Sequence, residues 1–241
     1  MRVLYIIPAR GGSKGLPGKN IRLLGNYPLL YYTLHFARNF VPDEDICLTS
    51  DDPSIIRLAQ EYDYKAPFVR PKALAQDNSP MQDVLLHALS FYEGEGKEYD
   101  AVMLLQPTSP FRSKSFVESI IGLYSQENGI DMIASVGAAK LNPYFNLFEE
   151  LGKGWLGRLK KESYESRQEC PPVYYFNGSM YLINVRAVQS QRMNRFEKVR
   201  KFLMDDLYSI DIDTELDWLL CEALLEKKKV QLDFMDPVMH L

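Results

Sequence analysis

The sequence predicts an α/β fold built on a mostly parallel sheet with helices on both faces. Short apolar runs suited to buried strands recur along the chain, and between the early ones lie stretches whose apolar residues repeat at helical spacing. Residues able to meet a ligand follow those runs, at the carboxyl ends of strands where open α/β sheets bind.

Residues 3–7 read as the first strand. Leu29, Leu30, Thr33, Leu34 and Ala37 then mark a helix, residues 46–49 a second strand, and Ile55, Ile56 and Ala59 a second helix. Val84, Leu85, Ala88 and Leu89 mark a third helix before the strand at 101–105, and Phe116, Ile120, Ile121 and Tyr124 a fourth before the strand at 132–136. Residues 139–176 break this pattern with "GKGWLGRL", scattered aromatics and Pro171-Pro172, and read as an inserted lobe or hairpin within a single domain spanning 1–241. Exposed apolar residues in such an insertion point to a subunit interface, with a lid as the alternative. Strands at 180–185 and 209–212 follow. A last helix at 214–229 has Asp213 or Thr214 as cap and Lys227, Lys228 and Lys229 where a helix C-terminus favours cations.

With 241 residues, 46% of them apolar, the chain can fill a large core. The net charge of -4, without a basic stretch, argues against a nucleic-acid or membrane-surface binder, so any phosphate must be held by a local site. Cys47, Cys170 and Cys221 show neither CxxC spacing nor pairing with histidine, which suggests no disulfide framework or zinc site and suits a reducing cytoplasm. No window approaches the roughly 18 apolar residues of a spanning helix, and the N-terminus lacks a signal pattern.

The first strand runs into "PARGGSKGLPGKN", where Arg10, Lys14 and Lys19 stand in a glycine-rich turn. A Walker A loop fails here, because Ser13 replaces the first glycine and Asn20 follows Lys19, and the GxGxxG spacing fails as well. Backbone N–H groups and three cations remain, a combination that suits a triphosphate, although a solvated polar loop has the same composition. Asp211 and Asp213 flank Ile212, so on extended backbone both carboxylates face one side and suit a shared Mg2+, which would also engage phosphate oxygens. The same pair also suits a cap for the following helix.

"PARGGSKGLPGKNI" resembles the signature of the acylneuraminate cytidylyltransferases, also called CMP-sialic acid synthetases, and further blocks extend the likeness. "FVRPKALAQDNSP", "LLQPTSPFR", "SRQECPPVYYFNGSMYLI" and "SIDIDTELDW" are similar to the family's later motifs and carry it from residue 6 to 218. The resemblance implies a Rossmann-like sheet of the nucleotide-diphospho-sugar transferase type and a homodimer through the inserted lobe. It implies transfer of CMP from CTP to an acidic nine-carbon sugar, releasing pyrophosphate. Catalytic roles carry over to Lys19, Arg167 and Asp211, and nucleotide contacts to Arg10, Ser13, Lys14, Asn20, Arg70, Ser79 and Gln106. Sugar contacts carry over to Arg167, Gln168, Tyr175 and Asn177, and Mg2+ ligation to Asp211 and Asp213. Physically, a guanidinium such as that of Arg167 suits the sugar carboxylate. His35, His87 and His240 match no motif and read as structural.

Tyr175-Phe176 stand where many bacterial members carry Arg-Pro, and Met81 stands where a small hydroxyl residue is common. N-acetylneuraminate is the first expectation for the sugar, with KDN, legionaminate, pseudaminate and Kdo as rivals. A non-catalytic nucleotide-binding regulator is the alternative of another class.

Overall fold

The computed structural model describes residues 1–12, 15–162 and 164–235. Its centre is a six-stranded sheet made of β1 (Val3–Pro8), β4 (Ile46–Thr49), β5 (Ala101–Leu105), β6 (Met132–Ala138), β9 (Tyr174–Asn184) and β10 (Val199–Leu203). Their order is β10-β6-β9-β5-β1-β4, with β9 antiparallel to both neighbours and every other pairing parallel. The inner strands are fully buried runs such as Val-Leu-Tyr-Ile-Ile and Ala-Val-Met-Leu-Leu, as expected where helices cover both faces.

The covering helices are α1 (Leu29–Ala37), α2 (Pro53–Glu61), α3 (Met81–Gly94), α4 (Lys114–Gln126), the short α5 (Val185–Ser190) and α6 (Glu215–Glu226). The first four fall where the apolar spacing predicts them. Asp52 caps α2 by accepting from the Ser54 N–H at 2.8 Å, with Pro53 at the first helical position, where its missing N–H costs nothing. One apolar cluster sandwiches α1, α4 and α6 against the sheet, and a second fills the face covered by α3 and α5.

Two expectations need correction. Residues 209–212 do not form a strand; β10, at Val199–Leu203, is the edge strand parallel to β6. Its V-R-K-F-L alternation is that of a half-exposed edge, which a search for continuous apolar runs passes over. Residues 209–213 instead cross toward the loop after β5, tied there by the Ile212 N–H to the Thr108 carbonyl at 2.8 Å. The strand expected at 180–185 is also longer: Tyr174–Phe176, counted above in the inserted lobe, pair with β6, and Val185 opens α5. The remainder of that lobe carries an exposed hairpin, β7 (Phe148–Gly152) against β8 (Trp155–Arg158). A small antiparallel pair, β2 (Leu23–Leu24) with β3 (Tyr27–Pro28), leads into α1.

Because β9 runs against its neighbours, its first half reaches the same sheet edge at which the parallel strands end. Leu105, the last residue of β5, lies opposite Met180, so the residues just before Met180 meet the loop that starts at Gln106.

Candidate active site

The turn after β1, the loop after β5, the start of β9 and the 209–213 segment converge at this edge. Lys19 is buried within the turn, and its ammonium donates to the Ile212 carbonyl at 2.7 Å and to Asp213 Oδ1 at 3.0 Å. The turn comes so close to the 209–213 segment that a Cβ on Gly15 would strike the Asp213 carbonyl. Thr214 is the cap of α6, in a reciprocal capping box with Asp217. Asp213 is therefore not needed as a cap, and its carboxylate serves Lys19 instead.

Asp211 is half-buried beside Gly178. Burial raises its carboxyl above the usual range, the Thr108 hydrogen bond opposes the rise, and Asp213 adds to it. Gly178 has φ of +73°, and a Cβ there would lie 3.3 Å from Gln106 Oε1, 3.3 Å from Ser109 Oγ and 3.4 Å from Asp211 Oδ2. Three groups thus crowd around a backbone that only glycine adopts easily. The cause is a bulge: Ala134 pairs with Tyr181 but Val136 with Phe176, so residues 177–180 stand opposite the single β6 residue Ser135.

Asn177 holds that bulge together. Its side-chain oxygen accepts from Ser135 Oγ at 2.6 Å and from the Ser179 N–H at 3.2 Å, and its amide nitrogen donates to Ser209 Oγ at 3.1 Å. The side chain is fully buried and spent on protein partners, which makes it a brace in this structure. Tyr175, half-exposed at the head of β9, donates to the Ser209 carbonyl at 3.4 Å.

The other candidates spread along the turn after β1 and the loops that follow β4. Arg10, Gly11, Gly12, Gly18, Lys19 and Asn20 line one cavity with Asp52 and Ser54. Arg10 pairs with Asp77 at 2.7 Å, and its carbonyl accepts from the Asn20 amide at 3.3 Å. Arg70 is buried with Nε on Thr49 Oγ1 at 3.0 Å; burial lowers its pKa, Asp51 opposes this, and nearby Arg10 adds to it. Ser79 closes its own loop by donating to the Ala73 carbonyl at 3.0 Å. Arg167 and Gln168 are not drawn in: both are exposed on a 3-10 turn. Ser13, Lys14 and His240 lie outside the described residues. His35 stacks on Tyr31 and His87 packs edge-on to Phe68, so both are packing residues.

One participant escaped sequence reasoning. Arg112 closes the "LLQPTSPFR" block and is fully buried, and burial brings its pKa down to about 9 although Asp211 opposes this. Its position at the end of a motif block was the only signal, since arginine has no periodic signature of burial. Among the described residues, Asn20 Oδ1, Ser179 Oγ and Asp211 Oδ1 are buried without a hydrogen-bond partner, as are the Tyr64 hydroxyl and His87 Nδ1. Such atoms are uncommon in native interiors, and a ligand can satisfy them.

Residues 4–233 match the family described as Cytidylyltransferase. The chain belongs to that family. Among cytidylyltransferase relatives, CMP-N,N'-diacetyllegionaminic acid synthase of Legionella pneumophila is 32% identical over 94% of this chain and 97% of its own length. Pseudaminic acid cytidylyltransferase of Campylobacter jejuni is 36% identical over 78% of this chain and 80% of that protein. N-acylneuraminate cytidylyltransferase of Escherichia coli is 29% identical over 95% of this chain, which spans 54% of that longer protein. In fold, the chain is similar to CMP:2-keto-3-deoxy-manno-octonic acid synthetase solved with CTP, with TM-score 0.67 and 17% identity over 95% of this chain and 100% of that one. The nucleotidyltransferase fold and the family expected from the motifs are therefore both found.

Proposed function

We propose that this cytidylyltransferase activates a nonulosonic acid, converting CTP and the free sugar acid to the CMP-sugar and pyrophosphate. The observation that carries the reading is the meeting of Lys19, Asp211 and Asp213 at the carboxyl edge of the sheet, beside the glycine-rich turn. A non-catalytic nucleotide sensor has no use for a buried lysine set against two carboxylates.

The sugar's C2 hydroxyl would attack the α-phosphorus of CTP, forming a C2–O–P bond as the bond to the β-phosphate breaks and pyrophosphate leaves. Arg10 and the turn's N–H groups hold the departing phosphates, and the Lys19 ammonium stabilises charge on the α-phosphoryl oxygens. Asp211 accepts the hydroxyl proton, and its raised pKa makes it a stronger base than a surface carboxylate. Asp211 and Asp213 also suit Mg2+, which takes hard oxygen donors and needs only one or two protein carboxylates. The donor chemistry fits, because Asp211 Oδ1 is a buried carboxylate oxygen without a hydrogen-bond partner among the described residues. The ion would supply charge neutralisation for the triphosphate. Arg167 and Gln168 would meet the sugar from the connection between the hairpin and β9.

The sugar is the finer question. Relatives named for legionaminic, pseudaminic and neuraminic acids all align over most of this chain. The reading is accordingly made for the nonulosonic class, and N,N'-diacetyllegionaminate joins N-acetylneuraminate at the head of the substrates to test. We further propose a homodimer through the β7–β8 hairpin, where Phe148, Leu151, Trp155 and Leu156 are exposed on a two-stranded ribbon too small to stand alone. The free thiols of Cys47, Cys170 and Cys221 suit the cytoplasm, and no helix among the described residues is long and apolar enough to cross a membrane.

The test is Lys19→Ala: turnover falls about a hundredfold or more while CTP still binds, as measured by pyrophosphate release and calorimetry. Unchanged turnover would remove Lys19 from the reaction.

A further inference from the structure

Arg112 is buried without a carboxylate at its guanidinium among the described residues. Its four hydrogen bonds end on three neutral oxygens. Nε and Nη2 donate to the Ser179 carbonyl at 3.3 and 2.9 Å, Nη2 also to the Gln106 carbonyl at 2.6 Å, and Nη1 to Thr33 Oγ1 at 2.9 Å. The Phe36 ring lies 5.7 Å from the guanidinium carbon. A buried cation held only by dipoles is expensive, and for packing alone an apolar side chain would serve better.

The acceptors explain its presence. Thr33 lies on α1, Gln106 opens the loop after β5, and Ser179 sits in the β9 bulge next to Gly178. Gln106 and Asp211 both crowd Gly178, where an added Cβ would lie 3.3 and 3.4 Å from their side-chain oxygens. The planar fork therefore spans the nucleotide loop and the bulge that leads to the proposed sugar residues, and both ends are backbone carbonyls, which no side-chain rotation can release.

We infer that Arg112 is a positioning residue that fixes the spacing between the Gln106 loop and the Gly178 bulge, and with it the alignment of the two substrates. This rests on the functional reading above. Arg112 touches neither substrate; it acts through the two carbonyls.

Arg112→Lys keeps a positive charge and loses the fork. Arg112→Lys should hold CTP within about threefold of wild type yet lose about tenfold or more in kcat per CTP-binding site, because misalignment costs turnover before it costs ground-state binding. Amide exchange should quicken at 106–109 and 177–180 and stay unchanged in the β1–β4 ladder. A lower melting temperature with wild-type kcat per site would overturn the inference and leave a purely structural arginine. If Arg112→Lys does not fold, Arg112→Gln, which can reach one carbonyl at most, decides: reduced kcat at unchanged CTP affinity with quickened exchange at 106–109 and 177–180 supports the assignment, and wild-type kcat refutes it. Should wild type itself turn over no nonulosonic acid, the functional reading fails separately, and unchanged exchange at both segments in the variant would still dismiss the brace.

Discussion

At the scale of single residues, the site turns on charges placed where water cannot fully screen them. Lys19 is positioned by the Ile212 carbonyl and Asp213, so its ammonium is held in place by the fold itself. Asp211 shows the cost of that arrangement. A carboxyl whose pKa is raised in the folded state stabilises the fold below its unfolded pKa and loses that contribution as pH rises through the folded value. At neutral pH the ionised group is therefore a burden, and Asp211→Asn in metal-free buffer should melt higher than wild type, by about 2–4 °C for each kcal/mol relieved, while turnover collapses. The gain should vanish on approach to pH 4, where wild type protonates as well; calorimetry at both pH values checks this. Lys19 and the acidic pair stand out as candidates in the sequence because their motifs are short and local. Arg112 does not, because its four hydrogen bonds depend on a loop, a bulge and a helix meeting in three dimensions.

At the scale of elements, the β9 bulge and the β7–β8 hairpin carry the consequences. Gly178→Ala would force a Cβ into left-handed backbone among Gln106, Ser109 and Asp211, so it should lower both stability and kcat; a cost of about 1–2 kcal/mol in chemical denaturation is expected from the backbone alone. Trp155→Asp, on an exposed hairpin position, should leave the fold intact and shift the chain from dimer to monomer by light scattering. A monomeric wild type would remove the dimer proposal. The helices α1 to α4 were legible because their apolar residues repeat at helical spacing. Residues 209–212 read as the last strand because Ser-Ile-Asp-Ile alternates like one. The true edge strand, Val-Arg-Lys-Phe-Leu, is marked by position beside β6 more than by composition. The reach of β9 into the insertion was invisible for a similar reason: Tyr174, Tyr175 and Phe176 are strand residues only because β6 is there to pair with them.

At the scale of the whole molecule, one antiparallel strand explains how distant motifs form one site. Five strands end at the edge that carries the candidate site, and β9 starts there, so a stretch near residue 177 meets the loop after residue 105. The family match over residues 4–233 covers this entire assembly, as the order of the motifs along the chain implied. What the overall fold leaves to experiment is the sugar, because related cytidylyltransferases named for different nonulosonic acids align over the same length. The most direct measurement is pyrophosphate release from CTP and Mg2+ with N,N'-diacetyllegionaminate, N-acetylneuraminate, KDN, pseudaminate and Kdo offered separately, the product confirmed by mass. Release should require CTP and a nine-carbon sugar acid together, with Kdo the poorest acceptor. Release with Kdo alone would contradict the assignment of the sugar class, and no release with any of the five would contradict the proposed reaction.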